Sequence, residues 1–302
     1  MPTTPSSFLA LRHAAQYVRR FRDRIFVIKI GGELLVDAAV RVALVEQIAV
    51  LSAFGIRLVI LHGGGSELDE LCQRLSIPIQ KIAGRRITTP EVMDAAKATF
   101  CGTQVDLLAD LTAAGVACAG LSGVDGGIFQ AHRRPVVELV PDGSTEAIPV
   151  DFGLVGDIDN VDAALVHHLL DGGYTPVIAS LSSDGNGTVF NTNADTLASE
   201  LAQALGAEKL FFLLAVPGLL ADPANPSSLV TFATPSRLVE LEARGAIRAG
   251  MRPKLMAARA ALEGGVTSVH LVSGIAPDAL LAEVFTNEGS GTLLSLAEDA
   301  AS

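Results

Sequence analysis

The chain has 302 residues, enough for one large domain or two lobes around a substantial core. Hydrophobic residues make up 49% and aromatics only 5%, with 29 glycines, a composition that fits an α/β enzyme and excludes a disordered or fibrous chain. The net charge of −11, with no basic stripe carrying interleaved aromatics, argues against nucleic acid as a partner, while an acidic small substrate stays compatible because charge in a cleft can oppose the global sign.

Cys72, Cys101 and Cys118 are isolated and form no CxxC pair. They read as buried small hydrophobes of a reducing compartment, with no disulfide or metal role expected. The N-terminus lacks the apolar core of a signal peptide, and no apolar run reaches 18 residues, so a soluble cytoplasmic protein with no membrane partner is expected.

Residues 1–25 form the first segment. Phe8, Leu11, Ala14, Ala15, Val18 and Phe21 recur at helical spacing, which predicts a helix over 8–22 with arginines on its other face. Such a helix either packs on its own subunit or serves as an arm docked on a neighbouring one. From Phe26 the pattern alternates. A strand over 26–30, a helix over 38–53, a strand over 57–62, the run Gly63-Gly64-Gly65 and a helix through Leu75 predict a parallel, helix-covered sheet.

The first strand keeps a lysine. Phe26-Val27-Ile28-Lys29-Ile30 is nearly all apolar, as a strand buried on both faces is, and it ends in Gly31-Gly32. A buried ammonium there costs several kcal/mol unless an anion stands beside it. Only Lys29, Lys81, Lys97, Lys209 and Lys254 are lysines among 22 basic residues, so a compact point charge at Lys29 stands out in a chain that otherwise uses arginine. The alternative is a lysine snorkelling from the strand end. Two glycine turns, after Ile30 and after His62, follow adjacent strands and open at the carboxyl edge of a parallel sheet, where free N–H groups suit an anion. Neither is a GxxxxGK[ST] loop or a GxGxxG turn. His62 reads as a satisfied strand-end residue rather than a base.

Residues 78–88 are short and rich in breakers and predict a hairpin. Arg86 beside it could clamp a carboxylate through its fork, and Arg85 either does the same or is solvated. A long helix over 90–114 and a strand over 116–121 follow, then an irregular stretch with short β segments over 130–155. A helix near 161–170 and a strand at 176–181 close a first lobe over 26–186, with Asp184-Gly185-Asn186-Gly187 reading as a turn. The second lobe, 187–302, holds a helix over 194–205, a strand over 209–214, helices over 235–244 and 253–263, and strands at 268–272 and 292–294. At its start, Asn191-Thr192-Asn193-Ala194-Asp195 enters a helix. N-capping explains one of these polar residues, leaving Asp195 to hold lysines and an asparagine amide to bind a ligand. In Gly250-Met251-Arg252-Pro253-Lys254, Pro253 suits a helix start, but Lys254 sits at the wrong end for the macrodipole unless a phosphate joins it or it is simply exposed.

Together, Val27-Ile28-Lys29-Ile30-Gly31-Gly32, Leu61-His62-Gly63-Gly64-Gly65, Gly120-Leu121-Ser122-Gly123, Asn191–Asp195 and Gly250–Lys254 resemble the amino acid kinase family, in order and spacing most like its N-acetylglutamate kinase branch. The similarity runs from about Phe26 to Leu294. It implies a three-layer αβα sandwich around a mainly parallel central sheet, with an acyl-amino-acid lobe that also dimerises and a nucleotide lobe. It also implies transfer of the γ-phosphoryl of ATP to a side-chain carboxylate of N-acetyl-L-glutamate in arginine biosynthesis, with Mg²⁺ held mainly by the nucleotide phosphates. By position, the resemblance makes Lys29 and Lys254 the phosphoryl-stabilising lysines and Asp195 their organiser. Gly31, Gly32 and Gly63 fall at the phosphate, and Gly64, Gly65, Arg86 and Asn191 at the substrate. A homodimer, or a hexamer built as a trimer of dimers, is implied. The chain departs from the pattern at Leu214-Ala215, where relatives carry a Ser/Thr-Asp pair near the nucleotide, and at Arg85, where a leucine is usual. Its segment 273–278 lacks the Arg and His of arginine-inhibited relatives. The other readings are a kinase of N-succinylglutamate, an aminoadipate derivative or carbamate, and a non-catalytic amino-acid sensor on the same fold.

Overall fold

Apolar runs at 26–30, 58–61, 177–179, 210–214 and 269–272 are buried from end to end and lie side by side as the middle of one sheet. The computed structural model describes residues 15–140, 146–225, 227–247 and 250–296. In chain order these begin with α1 (residues 15–21), β1 (Ile25–Ile30), α2 (Ala38–Ala53), β2 (Arg57–His62), α3 (Gly65–Arg74), β3 (Lys81–Ile82), β4 (Arg85–Arg86), α4 (Pro90–Ala113) and β5 (Cys118–Ser122). Next come β6 (Phe129–Arg133), β7 (Val137–Leu139), β8 (Ile148–Val150), β9 (Gly156–Val161), α5 (Ala164–Asp171), β10 (Thr175–Ala179), β11 (Leu181–Ser183) and β12 (Val189–Asn191). The last are α6 (Ala194–Ala204), β13 (Lys209–Leu214), β14 (Phe232–Ala233), α7 (Pro235–Ala243), α8 (Arg252–Glu263), β15 (Ser268–Ser273), α9 (Ala279–Phe285) and β16 (Thr292–Leu294).

The eight-stranded sheet has the order β14-β16-β15-β13-β1-β2-β10-β5, and only the β15–β16 pair is antiparallel. Helices cover both faces. Because side chains alternate along a strand, Val27, Val59, Leu61 and Phe212 face α5, α6 and α8, where Val166, Leu197, Leu201 and Ala258 complete one core. Ile28, Ile60 and Phe211 face the opposite way and meet Leu44, Ile48, Leu107 and Leu280 of α2, α4 and α9. The fold is therefore a three-layer αβα sandwich around a mainly parallel sheet. Lys29 shares its face with Val27 and lies toward α6, whereas His62 shares its face with Ile60.

Local chemistry sets the helix starts. Asp37, Thr89, Asn193 and Thr234 each accept backbone N–H bonds at the starts of α2, α4, α6 and α7. Ala83 and Gly84 both have positive φ, 48° and 72°, and make the two-residue turn of the β3–β4 hairpin. The turn at 184–188 joins β11 to β12, with Asp184 Oδ1 accepting from the Asn186 and Thr188 N–H groups.

Two expectations change. The helix near 161–170 starts at Ala164, because Val161 is still paired with Phe129 in β9. Of the cysteines, only Cys72 is buried. Cys101 lies on the outer side of α4 and Cys118 on the edge strand β5, and all three are free thiols. The helix α9, which the sequence did not single out, begins after Asp278, whose side chain makes no capping bond. Of the N-terminal helix, residues 8–14 lie outside the described residues. Its described end packs on its own chain, with Phe21 against Phe26 and Tyr17 edge-on to Phe285.

Candidate functional site

β1 and β2 are adjacent and parallel, with Ile30 opposite His62, so their glycine turns emerge together at the carboxyl edge. The two turns touch. A Cβ on Gly32 would stand 3.0 Å from both the Cα and the nitrogen of Gly64. A Cβ on Gly64 would stand 2.7 Å from the Phe100 ring, so glycine is required at both positions. The Gly31 N–H donates to the Leu213 carbonyl and the Gly63 N–H to the Ile30 carbonyl, each at 3.3 Å, so these two glycines are tied to the sheet. Gly32 opens a single 3₁₀ turn, and Gly65 opens α3. First-turn N–H groups have no acceptor within their own helix, so they are the ones available to an anion.

Lys29 is 6% exposed, and the anion beside it is Asp195. Nζ of Lys29 lies 2.9 Å from Asp195 Oδ1. Nζ of Lys254 donates to Asp195 Oδ2 at 3.1 Å. One buried carboxylate thus bridges two ammonium groups, one from the central strand and one from the first turn of α8. Asp195 reaches them because Asn193 caps α6 through its own Oδ1 and sets Asp195 in the first turn. Burial alone would push the Asp195 carboxyl up; the charges of Lys29 and Lys254 outweigh it and hold the group below the usual carboxylate range. Ala194 brings this cluster to the glycine turns, its Cβ lying 3.9 Å from the point a Gly63 Cβ would occupy.

Arg86 sits at the mouth of the same turns. It donates through Nη1 to Asp69 and through Nη2 to the Gly65 carbonyl at 2.8 Å. These bonds use two of its five N–H groups. Asp69, which the sequence did not single out, also pairs with Lys81 at 2.6 Å and ties the hairpin to α3. Its carboxyl is held low; burial opposes this, but Arg86 and Lys81 prevail. Arg85 is exposed. Asn191 donates to the Thr88 hydroxyl at 3.3 Å, and its backbone N–H is fixed by the Leu154 carbonyl. Glu67 also faces the Gly32 turn. Its carboxyl is pushed up, first by burial and then by neighbouring Glu33 and Glu70.

A second buried polar cluster went unread in the sequence. Lys209 Nζ lies 2.9 Å from His270 Nε2, and His270 Nδ1 lies 2.7 Å from Glu283 Oε1. Glu283 also accepts from the N–H groups of Ser290 and Gly291. The signal was the one that marked Lys29, a polar residue inside an apolar strand, here His270 within Ser268–Ser273.

The arrangement can hold a polyanion: two cations shared by one carboxylate, helix-start amides at touching glycine turns, and an arginine at the rim. The model of the amino acid kinase family matches residues 24–273. The chain is 57% identical over 295 residues to acetylglutamate kinase of Myxococcus xanthus, covering 97% of this chain and 96% of that protein. It is 37% identical to acetylglutamate kinase of Halorhodospira halophila, covering 97% and 98%. Among solved structures, N-acetylglutamate synthase from Neisseria gonorrhoeae, complexed with coenzyme A and N-acetyl-glutamate, superposes with a TM-score of 0.82 at 28% identity. That match covers 95% of this chain but only 63% of the synthase. Carbamate kinase from Giardia lamblia bound to AMP-PNP shares the fold, with a TM-score of 0.64 at 17% identity, covering 91% of this chain and 99% of the kinase.

Proposed function

The chain belongs to the amino acid kinase family, and on that premise we propose that it transfers the γ-phosphoryl group of ATP to the side-chain carboxylate of N-acetyl-L-glutamate, forming an acyl phosphate in arginine biosynthesis. The observation that carries this reading is the Lys29–Asp195–Lys254 bridge beside the paired glycine turns, in a chain so similar to an acetylglutamate kinase.

The chemistry asks little else of the protein. A carboxylate is already ionised at neutral pH, so no general base is needed. The obstacle is bringing one anion onto another in line. Lys29 and Lys254 offset charge on the transferring oxygens, and Asp195 keeps their two ammonium groups together although they repel. The amides of Gly32, Gly64 and Gly65 donate to the phosphoryl and the substrate, while Gly31 and Gly63, tied to the sheet, shape the turns. Arg86 turns its remaining N–H groups to the α-carboxylate, and Asn191 offers its carbonyl and second N–H.

Among the described residues no group of three or more His, Cys, Asp or Glu side chains is placed to hold a metal ion. Mg²⁺ would ride on the phosphates of the nucleotide and offset their charge there. The 26–186 side takes the acyl-amino-acid and the pairing of subunits, and the 187–302 side takes ATP, in a homodimer or a hexamer.

Hydroxylamine trapping of the acyl phosphate tests the reading. N-acetyl-L-glutamate with MgATP is expected to give hydroxamate faster than N-succinylglutamate, an aminoadipate derivative, carbamate or free glutamate. ATP-dependent product with none of them would overturn the kinase reading, and a preference for another donor would overturn the substrate.

A further inference from the structure

We infer that His62 is a positioning residue of this site: its Nδ1–H holds the Gly63 carbonyl and so aims the Gly64 N–H, in the same peptide, at the transferring group. The inference rests on the reading of the glycine turns given above. His62 ends β2 with its side chain wholly buried, and its Nδ1 lies 3.0 Å from the Gly63 carbonyl oxygen. A carbonyl oxygen only accepts, so Nδ1 carries the hydrogen. A trans peptide is planar, and its C=O and N–H point in opposite directions. Holding the Gly63 oxygen toward His62 therefore turns the Gly64 N–H away from it. The Gly64 nitrogen faces the Gly32 turn, 3.0 Å from where a Cβ on Gly32 would be.

Two further observations agree. With glycine at 63, 64 and 65, no Cβ restrains this peptide from rotating, so an outside bond is needed to fix it. The other ring nitrogen, Nε2, is buried without a partner among the described residues. That costs stability an apolar side chain would keep, so the imidazole is there for what Nδ1 does. Burial pushes the His62 imidazole down to about 4, so the ring is neutral and its Nδ1–H tautomer persists through the neutral range.

Side-chain amides separate the two ring nitrogens. In H62N the amide nitrogen falls near the place of Nδ1, and in H62Q near that of Nε2. Steady-state kinetics of the full chain with N-acetyl-L-glutamate and MgATP should show H62Q and H62L losing about 10²-fold in kcat, with each KM within about threefold. H62N should keep kcat within about tenfold of the wild type. Wild-type kcat in H62Q or H62L, or a loss confined to KM, would overturn the role. Should the variants not fold, ¹⁵N NMR of the wild-type histidines decides: an Nδ1–H tautomer at His62 is expected, and an Nε2–H tautomer overturns the inference. A wild-type chain that forms no acyl phosphate would sink the kinase reading instead, leaving the tautomer to be read by itself.

Discussion

Lys29 and Lys254 share one carboxylate, and this sharing makes their removal informative. Neither contact is an isolated surface pair, since Lys29 and Asp195 are both buried. If the lysines offset charge that develops on the transferring phosphoryl, Lys29→Arg and Lys254→Ala should each lower kcat about 10²-fold or more, with little change in KM. Near-normal turnover in either variant would remove that residue from the chemistry. Asp195→Asn has a second consequence, because it leaves two ammonium groups facing each other with no anion between them. A loss of about 3 kcal/mol or more in unfolding free energy is expected, read from urea titration, together with a fall in kcat. At this scale the sequence was largely legible: a lysine in an apolar strand, a polar cluster entering a helix and a lysine at the wrong helix end were each anomalous alone. Spacing alone did not join them; the family resemblance did, by making Asp195 the organiser of Lys29 and Lys254.

The helix α6 turns those residues into a site. Asn193 caps it, and the cap places Asp195 in the first turn, over β1. Asn193→Ala should therefore destabilise the protein by about 1 kcal/mol and also lower kcat. An effect on stability alone would mean that Asp195 finds its lysines without the cap. Elements of this kind were readable because each carried a local mark: a continuous apolar run for the buried parallel strands, a capping Asp, Asn or Thr for α2, α4, α6 and α7, and a Gly-containing turn for the β3–β4 hairpin. The short strands β6 to β9 were not resolved. They are partly exposed and mix polar and apolar residues, and β6 takes its partners from β9 and β11 further along the chain, while β7 and β8 pair only with each other. The helix α9 also went unread, being short and without a capping bond from Asp278.

Over the whole molecule, two buried histidines set the response to acid. Burial drives both His62 and His270 down to about 4, and Lys209 adds to the effect at His270. Both folded-state values lie below the ordinary value of 6.5, so the unfolded chain binds more protons between about pH 6.5 and 4. Stability should fall as pH drops through that window, by about 1.4 kcal/mol per pH unit for each histidine at most. Glu283 extends the loss to lower pH: burial opposes the shift, but its bonds to His270, Ser290 and Gly291 prevail and bring it down to about 2. Urea midpoints between pH 7.5 and 5 measure the slope, and His270→Gln should flatten it; an unchanged slope would remove His270 from the acid response. For assembly, deleting residues before Arg22 and weighing the particle in solution tests whether α1 holds subunits together. An unchanged mass would confine it to its own chain, where Phe21 and Tyr17 already pack.

By itself the sequence determined the rhythm of strands and helices, the glycine turns and the charged residues out of place, because each depends on neighbours a few positions away. The resemblance had already made Asp195 the organiser of both lysines; only the tertiary structure decided that it lies directly against Lys29, that Lys254 shares it, that Arg86 is held by Asp69, and that His62 grips the peptide leading to Gly64. The first three are contacts between segments far apart in the chain. They exist because the parallel crossovers stack α6 on β1, pack α8 against α6, β13 and β15, and bring the hairpin against α3, and no local spacing encodes which distant charges that stacking brings together. The His62 contact is local in sequence, but which way the ring turns is set by the packing on that face of the sheet.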